Sequence, residues 1–201
     1  MVQRPEKDTG GKKTGRPRLS ARDWADAALA AMREGGLAAV AVEPLAARLG
    51  TTKGSFYWHF ANRDALVEAA LERWAETETE AAIARLEAET EPDPGLRLRR
   101  LLAEAVRSAA EDPLEVALLA TADDPRVATV LDRVTRRRIA YVTRQFAEAG
   151  FPEPEARRRG LLAYSVYLGH TQLGHAVPAA LPEGAELTGY LDRALDLLLM
   201  R

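Results

Sequence analysis

The sequence contains no cysteine and only three histidines in 201 residues. The absence of cysteine excludes disulfide bonds, thiolate metal sites and cysteine nucleophiles. No apolar segment approaches the roughly 20 residues that a transmembrane helix needs, since the longest leucine-rich run covers only residues 197–200. The basic residues near the N-terminus are not followed by an apolar stretch, which excludes a secretory signal. We therefore expect a cytoplasmic protein with no membrane association.

Catalytic motifs are missing as well. The sequence contains no His-Glu-x-x-His, no Gly-x-Ser-x-Gly, no phosphate-binding glycine loop and no Glu-x-x-His pair of a di-iron bundle. His170 and His175 are five residues apart, which places them on different faces of a helix. These absences predict that the protein is not an enzyme and has no catalytic residue, metal site or cofactor.

The charges are distributed unevenly, although the formal net charge is only −2. Residues 1–60 contain ten Lys or Arg against six Asp or Glu, whereas residues 61–201 contain 18 against 24. Every lysine lies in the first of these parts. Such an asymmetry indicates that the N-terminal end contacts a polyanion, although a basic tail that is merely solvated explains the charge alone equally well.

Helical periodicity dominates the chain after its first 18 residues. Residues 1–18 mix glycine, proline and basic residues without periodicity, which predicts a disordered basic arm. Ser20 and Asp23 resemble a capping box at the start of a first helix, which Gly35 and Gly36 end. No segment alternates as a strand would, so we predict an all-α protein. Its helices are expected at about 20–35, 42–49, 53 onward, 63–89, 96–110, 114–121, 125–149, 154–176 and 187–200.

The second and third of these helices are short and are separated by a turn that contains Gly50, which is the arrangement of a helix-turn-helix. A helix that enters the major groove needs small residues in its first turn and polar or cationic groups that reach bases and phosphates. Here the first turn is made of Thr52, Lys53, Gly54 and Ser55, with Thr52 as the candidate N-cap. The glycine favours close backbone approach to DNA, with a tight corner as the alternative. The pattern predicts a DNA-binding domain over residues 19–65 and a larger helical domain over 66–201.

Four motifs follow one another at fixed spacing: GRPR at 15–18, LAARLG at 45–50, KGSFYWHF at 53–60 and NRDAL at 62–66. Together they resemble the DNA-binding domain of the TetR family of bacterial transcriptional regulators. The resemblance covers about sixty residues, less than a third of the chain. It implies an N-terminal three-helix domain with a helix-turn-helix, followed by a C-terminal helical bundle that binds a ligand and forms a dimer.

The resemblance also implies which residues contact DNA. Tyr57 and His59 match phosphate-contacting positions, Trp58 matches a position close to the DNA, and Arg63 matches a basic residue that meets backbone or base. Phe56 and Phe60 match positions that turn inward. The candidate DNA-binding residues are therefore Arg16, Arg18, Thr52, Lys53, Gly54, Ser55, Tyr57, Trp58, His59 and Arg63.

Two further features of the N-terminal part affect DNA binding: the start of the second helix and the basic arm. The family usually has Ser or Thr where this chain has Ala41, so the second helix lacks a hydroxyl cap, which costs about 0.5–2 kcal/mol. Glu43 then faces the DNA side with the unfavourable sign. The arm carries Arg16 and Arg18, which either enter a minor groove or only raise general affinity for DNA.

The acidic C-terminal part is similar in layout to the ligand-binding and dimerisation domain of the family, whose last two long helices usually form the dimer. An apolar stripe lies on the last helix, at Leu187, Leu191, Leu195 and Leu198, and such a stripe is either internal core or interface. A ligand pocket would be lined by large amphipathic side chains. The candidates are Trp74, Tyr141, Phe146, Tyr164, Tyr167 and His170. The arginine runs at 136–138 and 157–159 are interpreted as solvated helix faces.

These observations lead to one main hypothesis. The protein is expected to be a homodimeric, DNA-binding transcriptional regulator, most simply a repressor that a small-molecule effector releases from a palindromic double-stranded operator. The alternative is a constitutive or architectural DNA-binding protein without an effector. An internal cavity in the C-terminal part distinguishes the two.

Overall fold

The computed structural model describes residues 19–89 and 91–201. The predicted basic arm, with Arg16 and Arg18, lies outside the described residues. Within them the chain forms only helices and turns, so the predicted all-α fold is confirmed. The helices are α1 Ala21–Gly35, α2 Val42–Arg48, α3 Lys53–Phe56, α4 Arg63–Ala75, α5 Ala81–Ala88, α6 Pro94–Glu111, α7 Leu114–Ala120, α8 Pro125–Glu148, α9 Glu153–Ala176 and α10 Gly184–Leu199. None of the described helices has both the length and the apolar character needed to cross a bilayer.

Helix α1 begins and ends where local chemistry predicts. The amide of Asp23 donates to the hydroxyl of Ser20, and the Asp23 carboxylate accepts from the Ser20 amide at 2.7 Å, so the capping box is confirmed. At the other end, Gly36 adopts φ of +66° and its amide donates to the Met32 carbonyl at 2.8 Å. This left-handed conformation suits glycine, because a side chain would be strained there. The chain therefore turns sharply and leads back towards α2.

The first hydrophobic core is built around two fully buried aromatic side chains. Trp24 of α1 and Phe56 of α3 meet edge to face, with ring centroids 5.4 Å apart. The core continues from α1 and α4 into α7 and α8, where it includes Leu118 and Val127. Helix α4 thus packs against both the N-terminal helices and the bundle. The predicted domain boundary at residue 65 lies within this shared core.

A π-helical segment, Glu76–Glu80, joins α4 to α5 without a break. The two helices therefore form one continuous rod from Arg63 to Ala88, as predicted for a helix over 63–89. Within the segment, the Thr77 hydroxyl donates to the Arg73 carbonyl at 2.9 Å, and Thr79 is buried. Such widened turns often occur at functional sites in helices.

The second core lies between α6, α8, α9 and α10. Leu191 and Leu195 of the predicted α10 stripe are buried in it, so at these positions the stripe is internal core rather than exposed interface. Helices α8 and α9 approach closely at Gly160, where an added Cβ would lie 2.4 Å from the Thr143 hydroxyl oxygen. The bundle is therefore tightly packed at this end.

Candidate nucleic-acid interface and ligand cavity

The turn between α2 and α3 has the geometry of a helix-turn-helix. Gly50 adopts φ of +62°, and the amide of Thr51 donates to the Ala46 carbonyl at 2.9 Å. Thr52 occupies the N-cap position of α3 in extended backbone, but its side chain makes no capping hydrogen bond. The prediction of a Thr52 cap is wrong in this respect, and the Thr52 hydroxyl is not engaged at the helix end.

The exposed side chains of α3 and of the turn after it form one surface, and a buried residue holds the helix in place beneath it. Phe56 is fully buried, which fixes the orientation of the helix. By contrast, Tyr57 is 57% exposed and Trp58 is 82% exposed. The other candidates on this segment are exposed or half-buried, and they are Thr52, Lys53, Gly54, Ser55 and His59. Two large aromatic side chains so open to solvent, beside a cation, are typical of a contact surface for a macromolecule. Contact of these residues with DNA stays a prediction.

Lys53 is held by an acid on the neighbouring helix. Its ammonium nitrogen lies 2.9 Å from a carboxylate oxygen of Glu43. This hydrogen bond lowers the pKa of Glu43 and raises the pKa of Lys53, so both groups stay charged. Ala41 provides no side-chain hydrogen bond at the start of α2, as expected. The positive charge of Lys53 on this surface is therefore balanced by the Glu43 carboxylate.

Arg63 has a structural role that the sequence did not reveal. Its Nε donates to the Val40 carbonyl at 2.6 Å, and its Nη2 donates to the Leu37 carbonyl at 2.5 Å. Asn62 caps α4 by accepting from the Ala65 amide at 2.9 Å, as its position predicted. The guanidinium thus ties the start of α4 to the connection between α1 and α2. Its predicted contact with DNA is not tested by these bonds, which already occupy two of its donors.

A cavity of about 360 Å³ lies in the C-terminal bundle. Four of the six predicted lining residues border it, namely Trp74, Tyr141, Tyr164 and Tyr167. The other two do not, and this is a correction. Phe146 is fully buried in the second core, with its ring centroid 6.0 Å from that of Phe151. His170 stacks on Tyr190 of α10 at 5.7 Å.

Aliphatic side chains form the largest group in the cavity wall. Most of them come from α5 and α6, and these include Ile83, Leu86, Leu98, Leu101, Leu102 and Ala105. Sequence reasoning missed them, because a helix repeats such residues on every buried face and nothing distinguishes a cavity wall from ordinary core. A cavity of this volume with apolar walls can take up a small organic molecule.

A buried ion pair closes one side of the cavity. The Arg138 guanidinium donates from Nη1 to both Glu115 carboxylate oxygens, at 2.8 and 2.9 Å. The Tyr167 hydroxyl donates to the same carboxylate at 2.7 Å. Burial alone would lower the pKa of Arg138, but the Glu115 charge outweighs it and raises that pKa. The interpretation of the 136–138 run as a solvated face is therefore wrong for Arg138.

Arg138 also holds the π-helical segment. Its Nε donates to the Thr79 hydroxyl at 2.9 Å and its Nη2 to the Glu78 carbonyl at 3.3 Å. The guanidinium lies over the Trp74 ring, 5.6 Å from its centroid. One side chain of α8 therefore connects α7 to the rod that begins at the helix-turn-helix. Among the described residues, no group of His, Asp or Glu side chains is arranged to hold a metal ion.

Comparison with known proteins agrees with this arrangement. Residues 25–70 match the family model described as bacterial regulatory proteins, tetR family. No curated protein sequence matches the chain.

Solved structures share the fold over nearly the whole chain. A transcriptional regulator from Rhodococcus sp. Rha1 has a TM-score of 0.69 and 23% identity, covering 90% of this chain and 94% of that one. A TetR-family transcriptional regulator from Streptomyces coelicolor has a TM-score of 0.71 and 19% identity, with coverages of 89% and 88%. SmeT, the repressor of the Stenotrophomonas maltophilia multidrug efflux pump SmeDEF, has a TM-score of 0.59 and 20% identity, with coverages of 90% and 87%. At these identities the similarity is one of fold.

Proposed function

We propose that the chain, which matches the TetR family model over residues 25–70 and shares the fold of a TetR-family regulator, acts as a sequence-specific transcriptional regulator. The observation that carries the proposal is the exposed surface of α3 and the turn after it, where Lys53, Tyr57 and Trp58 project from a helix anchored by Phe56. Such a helix can enter the major groove while its flanking side chains hold the phosphates. No catalytic function is needed to explain these residues.

We propose a division of labour among the candidate contacts. Thr52, Lys53 and Ser55 lie at the start of α3, where base edges are reached first in a helix-turn-helix. Tyr57 and His59 would contact phosphates, which fixes the register of the helix on the duplex. Arg63 would act mainly by positioning α4, since two of its donors bond to backbone carbonyls within the protein. The basic arm, with Arg16 and Arg18, would add contacts outside the major groove.

The exposed apolar residues of the last two helices support a homodimer. Leu161 and Leu162 of α9 are 53% and 54% exposed, and Tyr190 and Leu197 of α10 are 40% and 55% exposed. Large apolar side chains grouped on two neighbouring helices are typical of an interface between subunits. A two-fold dimer presents two α3 helices to a palindromic operator, with half-sites about 34–36 Å apart.

The cavity supports regulation by a small molecule. Trp74 lines it from α4, the helix that begins beside the helix-turn-helix. A molecule that fills the cavity would favour one position of this rod and thereby one spacing of the two α3 helices. We propose that the protein is a cytoplasmic repressor whose effector releases it from DNA, as the fold shared with the repressor SmeT suggests. A constitutive binder without an effector would not need such a cavity.

Selection from a random duplex library tests the proposal. The purified protein is compared with a Lys53→Ala, Tyr57→Ala double variant, which removes two exposed side chains and leaves the core intact. Arg136→Ala on α8, at an arginine whose side chain is 77% exposed, is the matched control. We expect the protein and the control to enrich one palindrome, and the double variant to enrich none. Enrichment of no sequence by the folded protein would overturn the proposal.

A further inference from the structure

Arg138 and Glu115, on the wall of the cavity, form an ion pair with each other. We propose that the ligand of the cavity is an uncharged, mostly apolar molecule with a single hydrogen-bonding group. Alcohols, ketones and esters with an apolar body belong to this class. This assignment rests on the proposed function, because it takes the cavity to be the effector site. It goes further in stating the charge that the effector must have.

An anionic ligand finds no free cation deep in the cavity. Arg138 is the cation of the ion pair, its side chain is only 15% exposed, and a guanidinium has five N–H donors. Four of them are directed to the Glu115 carboxylate, the Thr79 hydroxyl and the Glu78 carbonyl. A carboxylate or phosphate would have to displace Glu115, which would then remain buried without its partner. Leaving one member of a buried pair alone is strongly unfavourable.

A cationic ligand is disfavoured as well, because the acid that could bind it is already paired. The Glu115 carboxylate accepts two hydrogen bonds from Arg138 and one from the Tyr167 hydroxyl at 2.7 Å. An ammonium group would have to displace Arg138 from this carboxylate. Arg138 would then lose its partner and release Thr79 of the π-helical segment, while still being buried. Neither sign of charge can therefore enter the deep end without breaking the pair.

The remaining charges on the wall do not change this balance. Asp112 and Glu78 are both paired with Arg33, which is not part of the wall. The Asp112 carboxylate lies 2.7 Å from Nε of Arg33, and the Glu78 carboxylate lies 3.8 Å from its Nη2. Glu104 and Arg85 also line the cavity, and neither makes an ion pair within residues 19–89 and 91–201. These two have opposite charges, and Arg85 is exposed while Glu104 is half-buried. Water screens charges in such positions, so they select only weakly.

The cavity wall also offers an uncharged hydrogen-bonding group, the hydroxyl of Tyr164. The Tyr164 hydroxyl lines the cavity, and its one hydrogen-bond contact among the described residues is a long one, 3.4 Å from the Thr135 hydroxyl. Burial raises the pKa of Tyr164, so its phenol stays neutral and can both donate and accept. A neutral polar group on the ligand can bond to this hydroxyl, while its apolar body contacts the aliphatic wall. An alcohol or carbonyl compound fits both requirements.

Three probes with the same eight-carbon body separate the charge classes: octan-1-ol, octanoate and octylammonium. Their dissociation constants are measured by ligand-observed NMR titration on the full-length protein, without DNA, at neutral pH. Because each ion must break the buried pair, we expect octan-1-ol to bind at least about tenfold more tightly than either ion. Equal or tighter binding of octanoate or octylammonium would overturn the assignment.

A single substitution should reduce or remove the preference of the cavity for octan-1-ol over octanoate. Glu115→Gln keeps the shape of the side chain but leaves Arg138 with an uncompensated charge, so octanoate should gain about tenfold relative to octan-1-ol. Glu104→Gln, on the exposed side of the cavity, is the matched control and should keep the original order. If Glu115→Gln does not fold, Glu115→Gln combined with Arg138→Met removes both charges and should keep the preference for octan-1-ol. An unchanged ratio of the two dissociation constants in folded Glu115→Gln would contradict the proposal.

The binding assay tests the proposed ligand class, and the operator selection tests the proposed function, so the two proposals can be overturned separately. A protein that enriches a palindrome but binds none of the three probes would overturn the uncharged-ligand assignment and leave the proposed function intact. A protein that binds octan-1-ol with the expected preference but enriches no sequence would overturn the proposed function instead.

Discussion

The ammonium nitrogen of Lys53 lies 2.9 Å from a carboxylate oxygen of Glu43, so the lysine at the start of α3 is paired with an acid of α2. Both side chains are more than half exposed, at 52% and 74%. In the proposed complex, DNA phosphates would compete with this carboxylate for the lysine and would also be repelled by it. We therefore expect Glu43 to weaken the electrostatic part of DNA binding, which does not depend on sequence.

Replacing Glu43 should strengthen DNA binding. In Glu43→Gln the Lys53 charge is uncompensated, and we expect the affinity for operator and for random duplex to rise by about threefold or more at moderate salt. Fluorescence anisotropy with both duplexes measures this change. Glu72→Gln removes a 56% exposed acid of α4, which is paired with Arg133, and serves as the control. Unchanged or weaker binding by Glu43→Gln would show that the pair helps to position Lys53.

Arg63 should contribute to stability more than to DNA contact. Removing its bonds to Val40 and Leu37 in Arg63→Ala should lower the free energy of unfolding by about 1–3 kcal/mol, as measured by urea denaturation. The slope of log affinity against log salt concentration should stay unchanged. A decrease of that slope by about one unit would instead indicate a lost phosphate contact. Arg63→Lys keeps the charge but not the fork geometry, so it should recover only part of the stability.

The sequence predicted those features that depend on neighbouring residues. The Ser20 capping box, the Asn62 cap and the turn at Gly50 are encoded within a few positions, and all three are present. Features that join distant parts of the chain were not predicted. Arg63 bonds to carbonyls 23 and 26 residues away, and Arg138 reaches an acid 23 residues away.

The same limit applies to the cavity. Periodicity identifies the buried face of a helix, but it does not tell which neighbouring helix covers each residue on that face. Tyr164 and Phe146 are both buried, yet only Tyr164 borders the cavity. Arg138 belongs to a run of three arginines, and only the structure distinguishes it from the exposed Arg136.

The close contact of α8 and α9 predicts opposite effects for two glycines of α9. An added Cβ at Gly160 would lie 2.4 Å from the Thr143 hydroxyl and 3.1 Å from its backbone, so Gly160→Ala should destabilise the protein by about 1–3 kcal/mol. At Gly169 nothing lies within 4 Å of an added Cβ. Gly169→Ala should therefore stabilise the helix by about 0.5–1 kcal/mol. Thermal unfolding of both variants tests this, and a stable Gly160→Ala would contradict the tight packing.

The proposed dimer predicts a change of mass on a single substitution. Leu162 of α9 is 54% exposed, and a glutamate in its place would bury a charge in the proposed interface. We expect Leu162→Glu to shift the mass measured by light scattering from that of two chains to that of one 22.0 kDa chain. Leu96→Glu changes a 45% exposed leucine of α6 and should leave the dimer intact. A Leu162→Glu protein that remains dimeric would place the interface elsewhere.

His170 should make the stability of the protein depend on pH. Its ring is buried against Tyr190 and its Nδ1 has no hydrogen-bond partner among the described residues. Burial lowers the pKa of His170 from its ordinary value of 6.5. The unfolded chain therefore binds a proton more readily than the folded one, so stability is complete above pH 6.5 and decreases as the pH falls towards the lowered pKa.

Substitution with phenylalanine isolates this effect, because His170→Phe keeps an aromatic ring against Tyr190 but cannot be protonated. Urea denaturation at one protein concentration, which keeps any dimer dissociation comparable, gives the free energy of unfolding at each pH. Between about pH 7.5 and 5.5, the parent protein should lose more stability than His170→Phe. Above about pH 7.5 the difference between the two proteins should stay constant, because His170 is then neutral in both states. Equal losses in the acid range would mean that His170 is protonated as easily when folded as when unfolded.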